Sequence, residues 1–180
     1  MKPFFSALAL VSASCLLWGC ASNWQVVQYD QSKKVLVGVG RAESKMLQTA
    51  ISEAELVARQ RIATQIESRL KGYQSRLVKE SGFGQDASVV RVFEDASKQV
   101  VSATLRGSVV VSDKHRERKG LHEAEVQVEY PRAEAEKGTL DRMKRKEAAY
   151  SDFVKTKVFE DMEREVREFE EWKRTETGGH

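Results

Sequence analysis

The sequence predicts an α+β fold: a small antiparallel sheet (strand, long helix, helix, strand, strand) packed on helices and followed by a long charged C-terminal helix. Three observations predict it. The β-branched run VLVGV at 35–39 indicates a buried strand, and apolar residues then recur every three or four positions, as in a helix. Residues 124–130 alternate apolar and polar, as in a half-exposed strand. After Pro131 the chain is dense in Glu, Lys and Arg, which is typical of a solvated helix.

Residues 1–19 have the layout of an export signal. A positive start at Lys2 is followed by an apolar stretch with no charge behind it, and this stretch is shorter than the about 20 apolar residues of a membrane span. Residues 17–20, LWGC, resemble the bacterial lipobox. In that resemblance Leu17 and Gly19 are the signal-peptidase recognition positions, and Cys20 is the lipidation site. An ordinary signal peptide cut beside Cys20, or an uncleaved anchor, is the alternative.

The lipobox implies a lipoprotein that is anchored in a membrane through N-terminal acyl chains such as palmitate. Two or more acyl chains anchor a protein stably, whereas a single chain binds weakly. Cys15 leaves with the signal, so the mature chain begins at Cys20 and has no other cysteine. Ala21 is not the aspartate that retains bacterial lipoproteins at the inner membrane. The resemblance therefore implies the outer membrane of a Gram-negative bacterium, on its periplasmic or its surface side.

The remaining chain divides by composition into a polar tether at 20–34, an α+β domain at 35–131, and a charged amphipathic helix with a tail at 132–180. The 30 basic and 27 acidic residues nearly cancel, so the chain has no general attraction for polyanions. No basic stripe carries interleaved aromatic residues, and nucleic acid is therefore not an expected partner.

The first strand, Val35–Val39, is expected to be buried, and Ser44 is expected to cap the helix that follows it. This helix extends to about Lys79, so its roughly 35 residues would measure about 50 Å. Small residues on its apolar face predict close packing against another element; they are Ala50, Ala54, Ala58 and Ala63.

The segment SGFGQD at 81–86 is expected to end the long helix, and Asp86 to cap the next one. A buried strand at Ser108–Ser112 and the alternating strand at Ala124–Tyr130 then form an antiparallel hairpin. The polar stretch DKHRERKG, at 113–120, is expected to be their connection.

Residues 133–174 predict one helix of about 35 residues with a narrow apolar line, and acid–base pairs three or four positions apart support it. Two interpretations of the line stay open. The helix either lies along its own domain, covering the sheet or the first helix, or forms a seam with a neighbouring subunit, as in a coiled coil.

Motifs with a chemical role were sought along the whole chain. The stretch GVGRAE at 38–43 lacks the third glycine of the dinucleotide fingerprint, so its glycines are interpreted as a tight exit from strand to helix. His115 and His122 flank one hairpin without a third metal ligand, and HEAEV is not the two-histidine zinc motif. No catalytic residue, metal or cofactor is therefore expected, and the chain is not expected to be an enzyme.

The stretch VLVGVGRAESKMLQTAISEAELVARQRIATQI resembles the opening of the LPP20 family of bacterial lipoproteins, which pairs a glycine-containing strand end with a long, alanine-rich helix. The family includes flagellar outer-membrane lipoproteins of the FlgP type. The resemblance implies a structural or assembly subunit of a cell-envelope complex, with the flagellum as one candidate complex and a second copy or an envelope protein as partner. The alternative is a periplasmic binding module for a lipid, a glycan or a peptidoglycan fragment.

Overall fold

The computed structural model describes residues 34–81 and 87–177. The order strand, long helix, helix, strand, strand is confirmed, and three further helices follow it. The elements are β1 (Val35–Ser44), α1 (Leu47–Ser81), α2 (Ser88–Gly107), β2 (Val109–Arg118), β3 (Leu121–Pro131), α3 (Arg132–Lys144), α4 (Glu147–Phe153) and α5 (Lys157–Thr177). The predicted signal, the tether before Lys34 and the predicted cap at Asp86 lie outside the described residues.

The sheet is antiparallel with strand order β1-β3-β2, so β3 lies in the middle. β1 is longer than the predicted strand because its partners on β3 continue as far as His122, which pairs with Ser44. The prediction that Ser44 caps α1 is therefore wrong in position: the helix begins at Leu47, and the Ser44 hydroxyl accepts a hydrogen bond from the Met46 amide at 3.3 Å.

The 35-residue helix α1 confirms the predicted length and packs directly on β1 and β3. Its Ala54 and Ala58 are fully buried. A Cβ at Gly38 would lie 2.2 Å from the Ala58 carbonyl oxygen, and a Cβ at Gly40 would lie 1.8 Å from that of Ala54. The interpretation of these glycines as a strand-to-helix exit is therefore wrong, because they let the helix backbone contact the strand.

The second strand differs most from its prediction. β2 was expected to be buried and to end at Ser112, but it continues to Arg118 and every residue except Ser112 is exposed. The true connection is the two-residue turn Lys119–Gly120, in which both φ angles are positive (53° and 75°). That geometry matches the right-handed twist of a hairpin. The segment predicted as a loop is therefore mostly strand.

The C-terminal segment is helical as predicted, but it is broken into three helices. Thr156 marks the second break: its hydroxyl donates to the Phe153 carbonyl at 2.7 Å and accepts from the Phe159 amide at 3.2 Å. A threonine in this position begins a new helix by capping it. Met143, Phe153, Val158 and Met162 belong to the same buried cluster as the α1 alanines, so the segment packs on its own domain.

Candidate functional site

The predicted lipidation residue Cys20 and the recognition residues Leu17 and Gly19 lie outside the described residues. His115 pairs with Ala124, and His122 pairs with Glu117, so the two histidines lie near each other on β2 and β3. Among residues 34–81 and 87–177, no three metal-binding side chains are grouped so that they could hold a metal ion. The helices in the same ranges include none with the length and apolar content that a bilayer crossing requires.

The β1 edge of the sheet is closed by the chain's own side chains. Arg61 and Gln65, one turn apart on α1, reach over the strand. The Arg61 Nη1 atom donates to the Val39 carbonyl at 2.6 Å, and the Gln65 Nε2 atom donates to the Val37 carbonyl at 3.1 Å. Carbonyl oxygens that a further strand would need are therefore already bonded.

Among the described residues, β2 pairs with β3 alone, and no strand lies along its other edge, called the open edge below. Val109 is 61% exposed and Val111 is 48% exposed, although valine is usually buried. In the described part of the chain, no side chain donates a hydrogen bond to the backbone of Val109–Val111. Edge strands expose a row of amide and carbonyl groups that can pair with another chain. This open edge is the candidate functional site.

Arg59 of α1 fixes the start of the open edge. Its guanidinium donates to the Ser108 carbonyl at 2.6 Å and to the Leu105 carbonyl at 3.0 Å, and so it spans the end of α2 and the residue before β2. Glu55, one turn earlier on α1, accepts from the Arg59 Nε and Nη2 atoms. The two carbonyls are thereby satisfied, and the direction in which β2 leaves the helix is set.

The sheet face opposite α1, called the outer face below, carries charges in rows along the strands. On β3 the side chains that alternate with the buried Ala124 and Val126 are acidic, and Glu125 and Glu123 pair with Lys114 and Arg116 of β2. Residues paired across neighbouring strands lie on one face, so Lys114, Arg116 and Arg118 form a basic row on β2. Arg116 forms an ion pair with Glu123.

A second group of charges fastens the C-terminal helices to α1. Glu136 of α3 is completely buried and accepts a hydrogen bond from the Nε atom of Arg69 on α1. Its second oxygen, Oε2, has no hydrogen-bond partner within the described residues. Burial raises the pKa of the Glu136 carboxyl above its ordinary value, against the lowering effect of Arg69.

Arg69 also joins Glu165 of α5, at 3.2 Å, and donates to the Tyr73 hydroxyl at 3.1 Å. Burial, assisted by the charge of Glu136, raises the pKa of Tyr73 to about 12. Two helical turns beyond Arg69, Arg76 pairs with Asp161 of α5 at 2.7 Å. The cluster therefore connects α1, α3 and α5 by ion pairs, and both Arg69 and Arg76 have carboxylate partners, which indicates a structural role.

Sequence reasoning missed both features, although each left a signal. The basic row is visible as Lys, Arg and Arg at every second position in KHRER, residues 114–118. Glu136 lies four positions before Leu140, on the helical stripe that was read from Leu140 onward. A charged residue in that register is a signal of a buried ion pair.

No family model matches the chain, and neither the curated proteins nor the solved structures include a significant match to it.

Proposed function

We propose that this chain is a lipid-anchored lipoprotein of the outer membrane, without enzymatic activity, that acts as a structural or assembly subunit of a cell-envelope complex. The observation that carries the assembly role is the open edge of β2, an edge strand of the described sheet that presents exposed valines beside a basic row. The opposite edge of the same small sheet is closed. The edge that no described strand covers has a surface suited to a polypeptide partner whose charges complement the basic row.

The anchor rests on the motif LWGC at 17–20, and the outer membrane rests on Ala21 after it. A tethered subunit meets its partners within the plane of a membrane, where the effective concentration is high. Weak strand pairing then becomes sufficient for assembly. The resemblance to LPP20 lipoproteins points to the same class of function, with the flagellum as one candidate complex.

Radioactive palmitate supplied to bacteria that express the full chain tests the anchor, and the chain's two cysteines give a matched pair of variants. We expect the label in the unaltered chain and in Cys15→Ser, and its loss in Cys20→Ser, because a serine hydroxyl does not replace the thiolate nucleophile. Membrane fractionation should place the labelled chain in the outer membrane. Equal labelling of both variants, or a soluble unlabelled chain, contradicts the anchor.

The assembly role is tested by a deletion strain and by cross-linking in intact cells. We expect the chain to cross-link to an envelope protein or to another copy, and its deletion to impair motility or envelope integrity. A chain that cross-links to nothing, in cells whose envelope and motility are unchanged by its deletion, contradicts the role.

A further inference from the structure

We propose that the open edge of β2 docks an extended segment of another polypeptide, which adds to the sheet as a fourth strand and carries acidic side chains at every second position. This inference deepens the proposed function, because it names the chemistry of the partner that the assembly surface takes. It does not depend on lipidation, so its test and the palmitate test can fail separately.

The backbone supplies the first argument. β2 is a ten-residue strand that pairs with β3 on both sides of an irregularity at Val111, and no other described strand lies along its open edge. At the opposite edge of the sheet, Arg61 and Gln65 donate hydrogen bonds to two carbonyl oxygens of β1. An added strand can therefore be accommodated beside β2 and not beside β1. Main-chain hydrogen bonds supply the affinity in this mode of recognition, and alternate side chains supply the specificity.

The basic row supplies the second argument. β3 already shows which side chains complement it on the inner edge, since Glu125 lies opposite Lys114 and Glu123 lies opposite Arg116. A strand on the open edge meets the same row from its other side. Opposite charges across neighbouring strands are favourable and like charges are not, so the incoming strand needs acidic residues two positions apart. Next to Val109–Val111, the same strand should be apolar.

The row also disfavours the simplest competing occupant, which is β2 of a second copy, in every register that pairs the charged halves of the two strands. A two-fold axis pairs antiparallel strands so that each copy presents the same residues to the other. Axes centred from Asp113 to Glu117 all place like charges opposite each other, for example Lys114 against itself or against Arg116. The charge pattern therefore favours a different, acidic strand.

A synthetic peptide with the sequence of β3, LHEAEVQVEYP, is a suitable probe because it carries alternating glutamates followed by valines. We expect the full-length chain, purified in detergent, to bind the labelled peptide in fluorescence anisotropy. Binding should weaken with added salt and should be about tenfold weaker in Lys114→Glu/Arg118→Glu, which leaves the Arg116–Glu123 pair in place. The control Lys144→Glu/Lys146→Glu reverses two exposed charges, one at the end of α3 and one just after it, and should bind as the unaltered chain does.

Backbone methylation separates strand addition from simple charge attraction. Two peptides, each methylated on one alternate set of backbone nitrogens, keep every charge but remove opposite sets of hydrogen-bond donors. Strand addition requires that one set abolishes binding and that the other is tolerated.

Four outcomes would overturn the proposal: no binding to the unaltered chain, equal weakening in the control variant, indifference to both methylation patterns, or a homodimer that Lys114→Glu/Arg118→Glu dissociates. The last outcome would assign the edge to a second copy.

Discussion

The β1 and β2 edges belong to the same three-stranded sheet, but side chains of α1 bond to the backbone of only one of them. At β1, glycines bring α1 into backbone contact, and Arg61 and Gln65 then reach the strand's carbonyl oxygens. Near the start of β2, the α1 side chain Arg59 donates instead to the carbonyls of Leu105, at the end of α2, and of Ser108. The comparison shows that the carbonyl oxygens of an edge strand are satisfied within the chain where a helix lies close enough for its polar side chains to reach them.

The first way to break this comparison is to force α1 away from β1. A Cβ at Gly40 would lie 1.8 Å from the Ala54 carbonyl oxygen, and this atom is helix backbone that cannot rotate away. We therefore expect Gly40→Ala to lower the free energy of unfolding by about 3 kcal/mol or more, in the upper range for overpacked cores. Urea unfolding followed by circular dichroism measures the change. A loss below about 1 kcal/mol would show that the close approach is dispensable.

The second prediction concerns the ion pair that joins α1 to α3. Arg69→Met keeps an apolar stem but leaves Glu136 buried without its cation. Breaking a buried pair by removing one partner costs about 3 kcal/mol or more, and we expect a loss of that size at pH 7. Arg91→Met on the exposed side of α2 serves as the control and should change stability little.

The stability loss in Arg69→Met should depend on pH, because it arises from the charge of the buried Glu136 carboxylate. Burial raises the pKa of Glu136 in the fold above the 4.5 of a free carboxyl. Its contribution to stability is therefore fully present below pH 4.5 and is lost as the pH rises through the raised value. Without Arg69 the pKa of the Glu136 carboxyl should rise further, because no cation then favours its charged form. The loss of unfolding free energy in Arg69→Met should therefore be smaller at pH 5, where the carboxyl is more often neutral, than at pH 7. Adding Glu136→Gln should recover stability at pH 7. An equal loss at both pH values, or no recovery, would contradict the account.

The third prediction opens the closed edge itself. Arg61→Ala/Gln65→Ala removes the two side chains that occupy the β1 carbonyls, and we expect a loss of about 1–2 kcal/mol, the usual worth of two such hydrogen bonds. Gln60→Ala/Ser68→Ala alters two exposed positions of the same helix and is the matched control. Thermal unfolding of the two variants compares them. Equal losses would mean that helix propensity, and not edge protection, explains the effect.

The sequence was sufficient for the order of the elements because each carries a strong local signal. The alanines of α1 repeat at the helical period, and Ala124, Val126 and Val128 alternate at the strand period. The glycines at 38 and 40 are visible in the sequence, but their role depends on a helix that packs back over the strand, and local patterns do not contain that contact.

The open edge and the buried carboxylate were beyond local patterns for a different reason. The second half of β2 is polar or charged at every position, so it has no apolar alternation to indicate a strand. Its pairing depends instead on Glu123 and Glu125 of β3. Glu136 is buried only because Arg69, 67 positions earlier, meets it. The break at Thr156 was in principle visible, since threonine is a common helix cap.

The smallest effect is expected at Gly72, where the substitution made at Gly40 should have the opposite sign. Gly72 lies within α1 on its exposed side, and a Cβ there would meet no atom within 4 Å. Glycine inside a helix costs about 0.5–1 kcal/mol relative to alanine, so Gly72→Ala should stabilise the protein by about that amount. The same urea titration measures both variants. If Gly72→Ala destabilises the protein, another group packs against the exposed face of α1. The contrast between the α1 face that packs on β1 and its solvent-exposed face would then be wrong.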